Sequence, residues 1–329
     1  SDRENWLSQT IEETIEPNLQ ICDAHHHLWD FKNGRYLVDE FKQDTSGHLI
    51  TKSVYVECLS QYHKDGPEAL RPVGETSFVD QITAACQNGQ QGPKVAAGIV
   101  SFADMNLGAA VDEVLQAHCQ ASSRFRGIRH ASAWEVSDEV HNAHTKPVMN
   151  MLSDPIFREG FSCLEKRDLT FDAWLYFHQI PELTNLARAF PETRIILNHV
   201  GGVLGIGPYS DKRDEIFNIW KGHIRDLATC DNVVVKLGGL TMAVSGFGWN
   251  KRPKPASSAE LAEAMAPYYQ YCIDTFSPER CMFESNFPVD GTGSSYHVLW
   301  NAFKRLSARY SKEERAALFH DTATRIYNL

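Results

Sequence analysis

Ten residues near the start of the chain, "ICDAHHHLWD" from Ile21 to Asp30, carry three adjacent imidazoles behind an apolar entry and an acid. Alternation along an extended strand sends His25 and His27 to one face and His26 to the other. Two imidazoles on one strand, about 7 Å apart by strand rise, can share one metal ion or one substrate oxygen. The alternative is a pair of hydrogen-bonded structural histidines. Other apolar runs also close on ionisable side chains: Glu57 in "SVYVE", Arg129 and His130 in "FRGIRH", His178 after "FDAWLYF", and His199 in "IILNHVGG". Lys236 in "NVVVKLGG" and Glu284 with Asn286 in "CMFESNFPVD" complete the set. A core gains nothing from such groups, whereas hydrolytic or lyase chemistry needs an electrophilic clamp, a base and an anion binder in one cleft.

These side chains meet only if the runs that carry them are neighbouring strands with a common end. Eight candidate strands are present: "LQICDAHH", "SVYVECL", "KVAAGIVSF", "FRGIRH", "LTFDAWLYF", "TRIILNHV", "NVVVKLGG" and "RCMFES". Helical patterns separate them. Pro181 opens one with Leu183, Leu186, Ala187 and Phe190 on a single face; Ile216, Ile219, Trp220, Leu227 and Ala228 keep the same period. Ser257 with Glu260 and Ser311 with Glu314 form capping boxes. The alternation predicts a parallel α/β sheet closed into a (β/α)8 TIM barrel over residues 19–329, behind an N-terminal arm at 1–18; an open doubly wound sheet is the rival. In a barrel the reactive groups gather at the carboxyl ends of the strands. Long loops at 30–50 and 131–153 and an ordered flap at 245–258 then shape the pocket.

Bulk properties exclude several classes of function. Of 329 residues, 43% are hydrophobic and 22% charged, as in an ordinary globular protein with ample core material. Net charge is −10, and no dense Lys/Arg cluster is present to track a phosphate backbone, so nucleic acid is not an expected partner. No apolar run reaches the roughly 18 residues that span a bilayer, and the polar start is unlike a signal peptide. The eight cysteines lack a C-x-x-C pair and read as reduced, small hydrophobes. The expectation is a cytoplasmic protein acting on a small molecule, with homo-oligomerisation open.

Alternatives stand beside the single residues. Lys236 is either an anion binder or a salt-bridged strut paired with Glu57 or Glu284. Arg129 and His130 hold either a substrate carboxylate or a loop carbonyl. Trp29, Trp134, Tyr176 and Trp249 are pocket walls or core. His118, His141, His144, His223, His297 and His320 lie on helices or long loops and read as solvated or structural.

The strings "DAHHHLWD", "FRGIRH", "LNHVGG", "NVVVKLGG" and "ERCMFESNFPVD", in this order over nearly the whole chain, resemble the amidohydrolase superfamily. The likeness is to the amidohydrolase-2 branch, which includes 2-pyrone-4,6-dicarboxylate lactonase and sugar-acid lactonases. The resemblance implies a distorted barrel and hydrolysis of a lactone of a small, carboxylate-bearing substrate by activated water. A decarboxylase of an unsaturated or aromatic acid, or a non-catalytic small-acid binder, are the alternatives. By position, His25 and His27 match the first-strand pair that ligates a divalent ion or polarises a carbonyl, His199 the sixth-strand histidine, and Arg129 a carboxylate clamp. Where relatives read G-T-D-W-P or G-S-D-W-P, this chain has Glu284-Ser285-Asn286-Phe287-Pro288. An amide neither accepts a proton nor ligates strongly, so Glu284, one layer deeper on the same face, or Asp290 replaces the missing carboxylate. The implied site has His25, His27, His178 and Glu284 around one zinc-class ion, or no metal at all. Glu284, Asp290 or His199 is the base, Lys236, Arg129 and His130 bind the anion and oxyanion, and Tyr176, Trp29 and Asn286 border the substrate.

Overall fold

The computed structural model describes residues 1–329. Eight strands form one sheet: β1 (Ile21–His26), β2 (Ile50–Val56), β3 (Lys94–Ser101), β4 (Phe125–Arg129), β5 (Thr170–Ala173), β6 (Ile195–Leu197), β7 (Val233–Leu237) and β8 (Cys281–Phe283). They neighbour one another in sequence order, and every ladder is parallel. β8 is only three residues long, so the segment after it closes the ring: Asn286 N–H donates to His25 O at 2.8 Å and His27 N–H to Phe287 O at 2.8 Å. The result is a nearly closed (β/α)8 barrel.

Alternation sorts each strand. On β7, Val233, Val235 and Leu237 join the 74-residue cluster between sheet and helices. Val234 instead packs in the lumen with Cys22, Ala24, Val54, Val56, Val100, Ile196 and Met282. Ala323, Ile326 and Tyr327 from the C-terminal helix plug this layer from below. Two residues further along, the same parity delivers polar groups: Asn198 just past β6, Lys236 on β7 and Glu284 just past β8, all buried. An apolar floor thus carries a polar layer.

β1 departs from strict alternation. Asp23 pairs with Ser53 but His26 with Tyr55, so β1 holds one extra residue over this stretch. Asp23 therefore faces out, accepting from Tyr296 Oη at 2.9 Å and Ser285 N–H at 2.9 Å, while His25 turns into the lumen. His26 lies on the outer face, stacked on Phe41 with centroids 3.9 Å apart and bonded to Ser53 Oγ at 2.7 Å.

The helices follow their start signals. Both capping boxes form, at Ser257/Glu260 and Ser311/Glu314. Ile219 does not join its neighbours: it sits at the edge of the stripe and is exposed, whereas Ile216, Trp220, Leu227 and Ala228 are buried. All eight cysteines are free; five are buried, but Cys119 is exposed. The N-terminal arm lies along the 245–258 flap, with Trp6 Nε1 donating to Arg252 O at 2.9 Å and Thr10 Oγ1 to Pro255 O at 2.7 Å. No helix is long and apolar enough to cross a membrane.

Tyr327 is the one C-terminal side chain whose polar atom reaches the lumen layer, donating to Asp172 Oδ1 at 2.7 Å. Tyr327→Phe leaves that carboxylate oxygen without its donor while keeping the plug. The expected cost is ~1–3 kcal/mol, read as a lowered urea midpoint at unchanged m-value.

Candidate active site

His25 is fully buried. Its Nδ1 lies 3.0 Å from Lys236 Nζ and 3.5 Å from Glu284 Oε2, and its Nε2 is 3.5 Å from Arg129 Nη1. Burial, then the neighbouring Lys236, holds its pKa well below the usual imidazole range, so the ring is neutral. His27 donates from Nδ1 to Val56 O at 2.7 Å and turns Nε2 toward Asn286 Oδ1 at 3.3 Å. Burial and the Arg129 charge push it down to about 3.

His199 sits just past β6, where the backbone turns left-handed at His199 (φ 55°) and Val200 (φ 51°). Its Nδ1 is hydrogen-bonded to Glu284 Oε1. The two glycines of "KLGG" permit this approach: a Cβ at Gly238 would overlap Glu284 Cγ, and one at Gly239 would overlap His199 Cβ. Burial pushes Glu284 up to about 8 despite the pull of Lys236, and pushes His199 down to about 3. Both shifts disfavour an imidazolium–carboxylate charge pair. Glu284 Oε2 has no hydrogen-bond partner although it is buried. One ligand atom from each of His25, His199 and Glu284 falls within 4.8 Å of the others, a donor set suited to a divalent ion.

Lys236 pairs with neither Glu57 nor Glu284. Its Nζ is 2.7 Å from Asp172 Oδ2, which also accepts from Asn198 Nδ2 at 2.8 Å. Glu57 instead takes Arg129, through Nε to Oε1 at 3.0 Å and Nη2 to its backbone oxygen at 2.8 Å. Burial alone would raise the Glu57 pKa; Arg129 and His144 override it and hold it at about 2. With Nη1 also donating to Asn198 Oδ1 at 3.3 Å, Arg129 has no free fork for a substrate carboxylate.

Above this layer opens a cavity of ≈ 340 Å³. His27, His141, His144 and His199 with Arg129 and Asn286 form its polar wall; Trp174, Met242, Val244 and Val289 form its apolar one. Several expected residues lie elsewhere. His130 follows Arg129 on the strand and so faces out, between Phe102 and Phe157, accepting from Met105 N–H at 3.2 Å. β5 ends at Ala173, short of the apolar run, which leaves His178 in a turn beyond it. There His178 binds Glu135 Oε2 at 2.8 Å and is not among the three clustered ligands. Tyr176 is a buried strut, donating to His141 O at 2.6 Å. Trp29 stacks on His27 with centroids 6.1 Å apart but does not line the cavity. Asp290 is enclosed behind Asn286, saturated by Thr241 Oγ1 at 2.5 Å and Asn286 Nδ2 at 2.7 Å, which leaves Glu284 as the carboxylate beside the imidazoles.

Four residues escaped the sequence reading. Asp172 was detectable as an acid inside an apolar strand, where a charge requires a partner, and Asn198 as the inward neighbour of His199. His141 and His144, which the sequence marks only as loop residues, line the cavity. They sit in a loop without helix or strand, where no periodicity marks a direction.

The Glu57–Arg129 pair sets a pH dependence. A folded pKa of about 2, below the ordinary carboxylate value, stabilises the protein fully above about pH 4.5, and this contribution is lost as pH falls through 2. Glu57→Gln strands a buried guanidinium and costs ~3–5 kcal/mol at pH 7. The difference from wild type shrinks between pH 5 and 2, measured by urea unfolding across that range.

The sequence profile of the family described as Amidohydrolase matches residues 22–329. An uncharacterized protein of Sinorhizobium fredii is 32% identical, with 95% of this chain and 99% of the relative covered. An L-fucono-1,5-lactonase of Burkholderia multivorans is 23% identical over 93% of this chain and 95% of its own length. The crystal structure of a zinc-bound amidohydrolase from Burkholderia multivorans superposes with a TM-score of 0.73 at 22% identity, covering 94% of this chain and 99% of that one. A barrel with imidazoles, a lysine and carboxylates at the carboxyl ends of its strands, matched by the profile from β1 to the last residue, belongs to the amidohydrolase family of hydrolases.

Proposed function

We propose that the protein is a lactonase, opening the cyclic ester of a small hydroxy acid with an activated water. The observation that carries this reading is the buried His199–Glu284 pair, whose imidazole borders a cavity of ≈ 340 Å³. When Glu284 is ionised it accepts from Nδ1–H of His199, which leaves Nε2 unprotonated and able to take a proton from water. As Nε2 gains that proton, Nδ1 passes its own to Glu284, whose burial makes it a ready acceptor. No imidazolium–carboxylate charge pair has to persist in the lumen.

Arg129 is the one guanidinium or ammonium group lining the cavity, and it faces the oxyanion that forms on the carbonyl. Glu57 and Asn198 hold it rigidly, so little reorganisation accompanies charge development. Trp174, Met242 and Val244 pack against the ring and exclude bulk water. A relative that covers nearly the whole chain bears the name L-fucono-1,5-lactonase, which supports a sugar-acid lactone as the substrate class.

His25, His199 and Glu284 fit one zinc-class ion: two imidazole nitrogens and a carboxylate converge, and Glu284 Oε2 lacks any other partner. Such an ion would supply Lewis acidity at the water or the carbonyl. Eight unpaired cysteines support a reducing, cytoplasmic setting.

Two measurements test the reading. His199→Asn and Glu284→Gln each lower kcat/KM on aldono-1,5-lactones by about 10²–10⁴-fold, followed as acid release without CO₂, and the double variant loses little more because the pair acts as a unit. Added zinc raises the thermal midpoint of the wild type, by ~2.7 kcal/mol of stabilisation at a hundredfold excess over Kd, and Glu284→Gln abolishes that shift.

A further inference from the structure

The lumen holds a second imidazole–carboxylate pair that the water-activating step does not use. His144 Nε2 lies 3.0 Å from Glu57 Oε2 at the wall of the same cavity. The two pairs rise from different sides of the barrel. Glu284 follows β8 and His199 follows β6, whereas Glu57 follows β2 and His144 comes from the loop after β4. Arg129 stands between them, bonded to Glu57 through Nε and 3.5 Å from His25 through Nη1.

Their surroundings differ in a way that divides the chemistry. Glu284 faces Lys236 only across His25, since the ammonium is taken by Asp172. Glu57 is in direct contact with the Arg129 guanidinium and is held ionised. An ionised Glu57 accepts from His144 Nε2–H. Nδ1 of His144 makes no hydrogen bond within the protein, and the residue lines the cavity. In its imidazolium form the residue keeps Nε2–H on Glu57 and presents Nδ1–H to a ligand. The side chain is 31% exposed, so solvent can replace a proton it has given up.

Lactone opening needs such a donor. Water adds to the carbonyl carbon as His199 takes its proton, and the bond from that carbon to the ring oxygen then breaks. The departing oxygen is an alkoxide, too basic to leave unprotonated. His199, once it holds the proton taken from water, is the rival donor, but it rises from the β6 side of the cavity whereas His144 rises from the loop after β4.

We propose that His144, held by Glu57, is the general acid that protonates the ring oxygen as it leaves. This rests on the lactonase reading above. The balance is complete: lactone and water give a hydroxy-carboxylate and one proton. His144 loses a proton to the new hydroxyl, the His199–Glu284 pair gains one from water, and exchange with solvent restores both.

The test compares two leaving groups within one variant. An aldono-1,5-lactone expels an alkoxide and needs the acid. Dihydrocoumarin expels a phenolate, whose conjugate acid has a pKa of about 10, as in tyrosine, and leaves without help. His144→Gln is expected to lower kcat/KM on the aldonolactone by about 10²–10⁴-fold and on dihydrocoumarin by less than about tenfold. Using the ratio of the two substrates cancels any loss of folded protein. Equal losses on both would overturn the proposal in favour of a positioning role, and an undiminished rate on the aldonolactone would overturn it outright. Failure of the wild type on both lactones would instead refute the lactonase reading itself, which separates the two failures.

Discussion

Lys236 is fully buried in the barrel, and its ammonium is held by Asp172 at 2.7 Å and His25 at 3.0 Å. Taking a lysine out of water costs several kcal/mol unless an anion and further hydrogen bonds compensate it. Asp172 can serve because its own oxygens are satisfied from three directions, by Lys236, Asn198 and Tyr327. Removing any member leaves a buried charge or lone pair exposed to nothing, so the layer is over-determined. That constraint fixes the site above it. His25 has its Nδ1 oriented by the ammonium, Asn198 carries the order to Arg129, and Arg129 carries it to Glu57.

The same layer explains how a chain lacking the usual strand-8 aspartate keeps a carboxylate beside its imidazoles. Asn286 occupies that position and is used structurally, its Nδ2 donating to Asp290 while its backbone N–H closes the barrel onto β1. Glu284, two residues earlier and of the same parity, is long enough to reach His199. It does so because "KLGG" brings the neighbouring backbone in without side chains. The replacement is therefore shared among Glu284, Asn286 and two glycines on the adjacent strand.

Much of this architecture was legible in the residues. All eight strands fall where apolar runs end on polar groups, because a parallel strand buried on both faces writes a continuous apolar word. Period-two alternation placed His25, His27 and Glu284 on the inward side without knowledge of the bulge, since the extra residue in β1 lies before His25. His199, by contrast, has the parity opposite to the inward Asn198 and enters the site through the left-handed turn at His199 and Val200. Alternation misled at His178, where the apolar run "TFDAWLYF" outlasts β5 and the parity count continues past the strand. At His130 the same rule points the right way: the residue follows Arg129, has the opposite parity and lies between Phe102 and Phe157. The loop histidines 141 and 144 were invisible for a different reason. Their direction is set by contacts such as Tyr176 Oη on His141 O, and such contacts leave no local pattern.

Two fully buried glutamates, each bonded to a histidine that lines the cavity, take opposite protonation behaviour: Glu57 is held at about 2 and Glu284 is raised to about 8. Desolvation acts on both in the same direction, so it cannot distinguish them. The difference is the nearest cation. Arg129 bonds Glu57 directly, whereas Lys236 is drawn toward Asp172 and reaches Glu284 only across His25. Exchanging those loyalties would exchange the roles of the two carboxylates. A lysine freed from Asp172 would lower the Glu284 pKa and weaken it as a proton acceptor, so Asp172 helps to keep the two carboxylates apart in basicity.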